Sequence, residues 1–323
     1  MGIIYRSPLI TIYTYIERAS IQISFLMLLF ATPPNPINLF YEFDKSNKLG
    51  GKSMTIAFLC TTEFSVTRWF QTRHLPPSNL YESSMFPSWS FSLLYVILEV
   101  GNRNGLSGAI AAPSAMSTHA FATLGLPGEM QQSTPLVPAL QSHWSMTHVS
   151  TTLLSYATPL CGSSLAISSL SISYSEVGNY FVSDSRRNCN KYSTLLNIRS
   201  GIDARSFLYL LPPNSRKCQL INRLDRWAYQ IIGLGFSLLT IGILPGAVWA
   251  NEARGSYRSW DPKETWAPVT RSIHAIYLHI RITNKWMGEG PAAAASTGFF
   301  LVWVCFLGVN LLGIGLHNYG WLM

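Results

Sequence analysis

Two stretches of this chain run for 21 residues each without a charged side chain: Tyr229 to Trp249 (YQIIGLGFSLLTIGILPGAVW) and Ser296 to Leu316 (STGFFLVWVCFLGVNLLGIGL). An α-helix rises about 1.5 Å per residue, so each run can cross the ~30 Å hydrocarbon layer of a bilayer. Composition supports that setting over a soluble core: of 323 residues only 12% are charged and 48% are hydrophobic, and mean hydropathy is positive. A third uncharged run, His148 to Ser171, is interrupted by Pro159, and a fourth, Gly105 to Pro127, is rich in Ala, Ser and Gly. Weaker candidates lie near 20–40, 53–70, 84–100 and 266–281. The expected fold is an all-α, polytopic membrane helix bundle of about eight transmembrane helices.

The formal charge of +8 could point to nucleic acid, but the basic residues cluster between the spans. Residues 173–228 hold Arg186, Arg187, Lys191, Arg199, Arg205, Arg216, Lys217, Arg223 and Arg226, which in a membrane protein marks a loop on the synthesis side. No nucleic acid is expected as a partner; membrane lipid is. With that loop fixed, His148, Trp249 and His317 fall on the opposite, far face. Arg281 and Lys285 return to the synthesis side, as do Arg103 and the Lys45, Lys48, Lys52 group, and eight spans put both termini on the far side. Pro33, Pro34 and Pro36 blur the end of the first span, and no cleavable signal is evident. The cysteines at 60, 161, 189, 218 and 305 form no CxxC or CxxCH pair, so the chain has neither a dithiol redox pair nor a covalent haem site of its own.

Between the runs 229–249 and 266–281 the chain reads WANEARGSYRSWDPKETW. Asp261-Pro262-Lys263-Glu264 has the form of a helix start, with Asp as N-cap, Pro at the first helical position and Glu placed to complete a capping box. Capping alone accounts for those four residues. The aromatics Trp249, Tyr257, Trp260 and Trp266 fit two descriptions: an interfacial belt, or flat rings stacked on a flat macrocycle. Haem would need axial nitrogen donors as well, and His148 and His317 share the face of the Trp-rich loop, Trp249 to Trp266. Polar groups at membrane depth are costly and often functional. His279, beside Arg281 near the other end of its span, is equally a ligand for haem entering from the synthesis side or a snorkelling interfacial residue. No Ser-His-Asp or zinc-like spacing competes, and no catalytic residue is assigned.

The stretches HLPPSNLYES (74–83), LVPALQSHWSMTHVS (136–150), TIGILPGAVWANEARGSYRSWDPKETW (240–266), AIYLH (275–279) and GVNLLGIGLHNYG (308–320) resemble the plastid CcsA-type family of cytochrome c biogenesis proteins. The resemblance implies a chloroplast thylakoid membrane protein with a tryptophan-rich WWD domain on the lumenal face. There it handles haem b, bound non-covalently and in transit. It implies a part in a cytochrome c haem-lyase (synthase) complex with a partner membrane protein, joining haem vinyl groups to the CxxCH thiols of apocytochrome f and soluble apocytochromes c. By motif match His148 and His317 correspond to lumenal haem-iron ligands and His279 to the histidine within a span. Trp249, Asn251, Glu252, Gly255, Tyr257, Trp260, Asp261, Pro262, Glu264 and Trp266 fall on the Trp-rich motif. His74 lies in a recurrent stretch without an assigned role, and His119, His143 and His274 are read as structural. Two regions are expected: N-terminal spans over 1–135, and a haem-handling membrane domain over 136–323 that includes the basic stromal loop.

Departures from the family pattern are of one kind. Arg254, Arg258 and Arg271 stand where the family has Trp, while Pro77, Pro87, Pro159, Pro245 and Pro268 stand where it has Leu, Ser or Phe. Arg-to-Trp and Pro-to-Leu or Ser are what C-to-U changes in codons produce, so the sequence is expected to be the conceptual translation of a plastid gene whose transcript undergoes RNA editing. The expected function is haem delivery and attachment to apocytochromes c. The alternatives are a haem transporter or exporter without a part in ligation, and a cytochrome b-like electron carrier.

Overall fold

The computed structural model describes residues 8–33, 44–72, 74, 78–101, 106–129, 131–132, 141–174, 213–283 and 289–309. Outside them lie His317, Arg103, Lys285, Pro77, most of the basic loop and the 135/136 boundary. The described residues form eight helices and no strand: α1 (Pro8–Ala31), α2 (Asp44–Thr72), α3 (Leu80–Gly101), α4 (Leu106–Ala120), α5 (His143–Tyr174), α6 (Pro213–Arg254), α7 (Pro262–Thr283) and α8 (Glu289–Trp303). α4 and α8 each run on into a π-helical turn, Phe121–Gly125 and Val304–Gly308. The fold is thus an all-α membrane helix bundle, as the apolar runs imply. Among the described residues, three helical stretches are by length and composition long and apolar enough to cross a membrane: His143–Ile172, Leu220–Arg254 and Gly290–Gly308. They overlap three of the four uncharged runs.

α5 and α6 make the most extensive helix pair, and small residues explain why. A methyl group at Gly162 would lie 2.6 Å from Ile232 Cγ1, one at Gly235 2.6 Å from Pro159 Cδ, and one at Gly242 3.0 Å from Thr151 Oγ1. Rising numbers on α5 meet falling numbers on α6, so the pair is antiparallel and in register over its length. Without a hydrophobic force to drive helices together in lipid, such close backbone approach is what gains dispersion energy. Prolines 87, 159, 245 and 268 sit inside continuous helices; Pro159 fills the space that Gly235 leaves.

One buried cluster draws on both ends of the chain, including Leu28, Met54, Phe91, Leu153, Ile232, Tyr277 and Val302. A smaller one gathers Phe64, Leu80, Tyr81, Met85, Ala122 and Leu126. Beside it lies buried Arg68, whose guanidinium donates to Glu82 Oε1 at 2.8 Å, Glu17 Oε1 at 2.6 Å and the Gln131 carbonyl at 2.7 Å. Asn79 Oδ1 accepts from the Glu82 N–H at 2.9 Å, and Glu82 Oε2 accepts from the Ser78 N–H at 2.9 Å. Ser78 and Asn79 therefore cap α3, and Glu82 in its first turn reaches Arg68, joining α1, α2 and α3 at one end.

Candidate functional site

α6 continues past Trp249 to Arg254 and stops where Gly255 adopts φ +71°, its N–H donating to the Asn251 carbonyl at 2.8 Å. Glycine at that position terminates helices because a left-handed backbone carries no side-chain penalty there. α7 starts at Pro262, with the buried Asp261 at its N-cap and the Thr265 N–H on the Asp261 carbonyl at 3.0 Å. The expected loop from Trp249 to Trp266 is thus corrected to a turn, Gly255 to Asp261; Trp249 and Trp266 belong to the flanking helices. The helix start is as the sequence implies, except that Glu264 reaches two residues beyond Asp261. Its Oε2 accepts the Ser259 N–H at 2.7 Å, and its Oε1 accepts from Arg254 at 2.7 Å.

Burial alone would raise the Glu264 carboxyl, but hydrogen bonds from Arg254 and Ser259 and the Arg254 charge hold it below its usual range. A depressed folded value means stability that is present above the ordinary carboxylate value of 4.5 and lost as pH falls through the folded value. In the chain as encoded, with Arg254 present, acidification below that value should therefore lower the amide-exchange protection factors across 255–261, whereas Glu264→Gln should show low protection already at neutral pH and no acid step.

The four aromatics separate. Tyr257 and Trp260 are 66% and 72% exposed, and Trp260 adopts φ 58°, uncommon for a bulky residue and held here by its neighbours. Trp249 is half-buried, and Trp266 packs against the main core. Each position where Arg replaces the expected Trp lies over a ring: Arg254 over Trp249 at 5.6 Å, Arg258 over Trp260 at 4.2 Å and Arg271 over Phe236 at 5.3 Å. Arg271 also donates to Thr240 Oγ1 at 3.1 Å, which turns its charge toward α6.

His148 stands in the second turn of α5, half-buried, with Nδ1 2.7 Å from the Gly242 carbonyl. A carbonyl only accepts, so Nδ1 carries the proton and the lone pair is on Nε2. Gly246, whose Cα lies under the imidazole, precedes Trp249 by one turn, so His148 and the turn occupy one end of the bundle. The π-helical turn that continues α8 packs against α5 and α7, since Cys305 meets Tyr156 Oη at 3.3 Å and is hydrogen-bonded to Thr270. His279 is exposed near the other end of α7, its Nδ1 3.4 Å from Thr283 Oγ1. Thirteen residues from Trp266, it is about 20 Å away along the helix, too far to share one iron with His148.

Of the remaining histidines, His74, His119 and His274 are buried and His143 is exposed. His274 donates Nδ1–H to the Thr270 carbonyl at 2.8 Å and presses Nε2 toward Gly298. Among the described residues no three His, Cys, Asp or Glu side chains converge on a bare metal ion. One imidazole lone pair at the same end of the bundle as two exposed aromatic side chains suits instead a flat macrocycle carrying its own metal. The residues that the sequence did not single out are Gly242 and Gly246; their signal was the G-x-x-x-G spacing in an apolar run.

Residues 77–317 match the family described as Cytochrome C assembly protein. Among curated proteins, the chain is 61% identical over 315 residues to the cytochrome c biogenesis protein CcsA of Adiantum capillus-veneris, covering 96% of this chain and 99% of that one. It is 53% identical over 320 residues to that of Pinus thunbergii (96% and 99%) and 51% over 323 residues to that of Marchantia polymorpha (98% and 100%). This chain belongs to the cytochrome c assembly protein family.

Proposed function

We propose that this chain holds haem at the end of the bundle formed by His148 and the Gly255 to Asp261 turn, and presents it there for attachment to apocytochromes c. Its coarse role, maturation of c-type cytochromes by a membrane protein, follows from the family. The observation that carries the finer role is the His148 imidazole, whose Nδ1–H bond to Gly242 leaves Nε2 as the donor atom, the arrangement by which proteins fix metal-binding histidines. His317, outside the described residues, is the second ligand proposed for the same iron. Tyr257 and Trp260 offer exposed ring faces, Trp249 and Trp266 flank them from the helix ends, and Asp261 fixes the turn by starting α7. His279 serves a separate step, haem entry at the opposite end.

The haem supplies vinyl groups, across which a cysteine S–H adds with sulfur bonding one carbon and hydrogen the other, so no atom is lost and no oxidant is consumed. The chain's share is proximity and orientation. The haem is haem b, bound without thioethers. The work takes place on the lumenal side of the plastid thylakoid membrane with a partner membrane protein, on apocytochrome f and soluble apocytochromes c. The test is co-expression of chain, partner and a CxxCH apocytochrome in a bacterial host stripped of its own attachment system. Haem that stays on the cytochrome through denaturing electrophoresis is expected. Haem that reaches the far side without becoming covalent would reduce the role to transport.

The transcript is edited. Tryptophan at 254, 258 and 271 would keep each ring contact and remove a charge, which at position 271 would otherwise cost a few kcal/mol in a span. Sequencing the cDNA should read Trp at these three codons; three retained arginines would reject editing there.

A further inference from the structure

We infer that Gly242 and Gly246, one turn apart on α6, are positioning residues that seat the His148 imidazole and fix its tautomer; this rests on His148 as an iron ligand. The Gly242 carbonyl accepts the Nδ1–H at 2.7 Å, and Thr152 Oγ1 stands 3.3 Å from the same nitrogen. A methyl group at Gly246 would lie 2.5 Å from Nδ1, 2.6 Å from Cε1 and 3.0 Å from Cγ. The ring therefore lies flat on the helix backbone, in space that any side chain would fill. The carbonyl selects which nitrogen is protonated; the missing side chain selects the ring's orientation. Together they aim Nε2, and the hydrogen bond raises its basicity toward a metal. Gly242 is restricted for a linked reason, since a methyl there would crowd Thr151 Oγ1 at 3.0 Å and Thr152 Oγ1 at 3.1 Å, on the turn that follows His148.

Close helix packing alone predicts something different, and Gly235 separates the two. It lies on the same seam two turns before Gly242 and three before Gly246, and a methyl there would stand 2.6 Å from both Pro159 Cδ and Thr158 Oγ1, an equal crowding with no histidine involved. Gly246→Ala, Gly235→Ala, His148→Gly and the double variant His148→Gly/Gly246→Ala are to be purified with the partner protein, and the visible spectrum of bound haem recorded with and without imidazole. Gly246→Ala should lower haem occupancy about tenfold, the lower range for disturbed ligand-orienting groups, with occupancy returning on addition of imidazole; Gly235→Ala should keep the wild-type spectrum. Should Gly246→Ala not accumulate, His148→Gly in the same chain should restore accumulation by vacating the space the methyl needs. A Gly246→Ala spectrum like wild type, or an accumulation defect that persists without His148, overturns the seat. Haem unchanged in His148→Gly itself would overturn the ligand assignment, a distinct outcome.

Discussion

Replacing Arg68 by alanine should leave little folded protein. The guanidinium stands between Glu82 and Glu17 at 2.8 and 2.6 Å, and all three side chains are at least nine-tenths buried. Removing it strands two carboxylates, and breaking a buried pair by deleting one partner costs about 3–5 kcal/mol. Against a total stability of about 5–15 kcal/mol, that suffices to unfold much of the population. Arg68→Lys should fall between, because an ammonium cannot reproduce the fork that serves Glu82, Glu17 and the Gln131 carbonyl at once. Thermal unfolding in detergent, followed by circular dichroism, measures the effect; an Arg68→Ala protein that melts with wild type would refute the triad as a structural staple.

Gly162→Leu should be comparably damaging, through crowding rather than charge. The first carbon of any side chain there would lie 2.6 Å from Ile232 Cγ1 and 3.2 Å from both the Ala228 carbonyl oxygen and the Ile232 nitrogen. Backbone atoms cannot rotate aside, so α5 and α6 would have to separate. Overpacking ordinarily costs about 1–3 kcal/mol, and a leucine against backbone should reach or exceed the upper figure. Gly162→Ala combined with Ile232→Ala should recover part of the loss in melting temperature relative to Gly162→Ala alone. Equal melting of those two variants would argue against the seam as the determinant.

The large features were legible in the sequence for simple physical reasons. Three apolar runs long enough for a bilayer overlap the three helices that, among the described residues, could cross one, and Asp261-Pro262 marked the start of α7 because capping is local. The shared end of His148 and Trp249 followed from alternating span direction. The end of α6 was misplaced because Trp249 looked like a boundary, whereas helix termination waits for Gly255, where φ turns positive. The Arg68 triad was invisible because its partners lie 51 and 14 residues away in sequence, and nothing local pairs them. The packing of Trp266 on the core was not legible, since composition does not reveal which face of α7 turns inward.

The central claim is that His148, together with His317, ligates haem iron beside the Gly255 to Asp261 turn. It is tested most directly by the haem spectrum of the purified complex carrying His148→Gly or His317→Gly, recorded before and after adding imidazole. Loss of bound haem in each variant, restored by imidazole, is the expected result; unchanged haem in both would contradict the account.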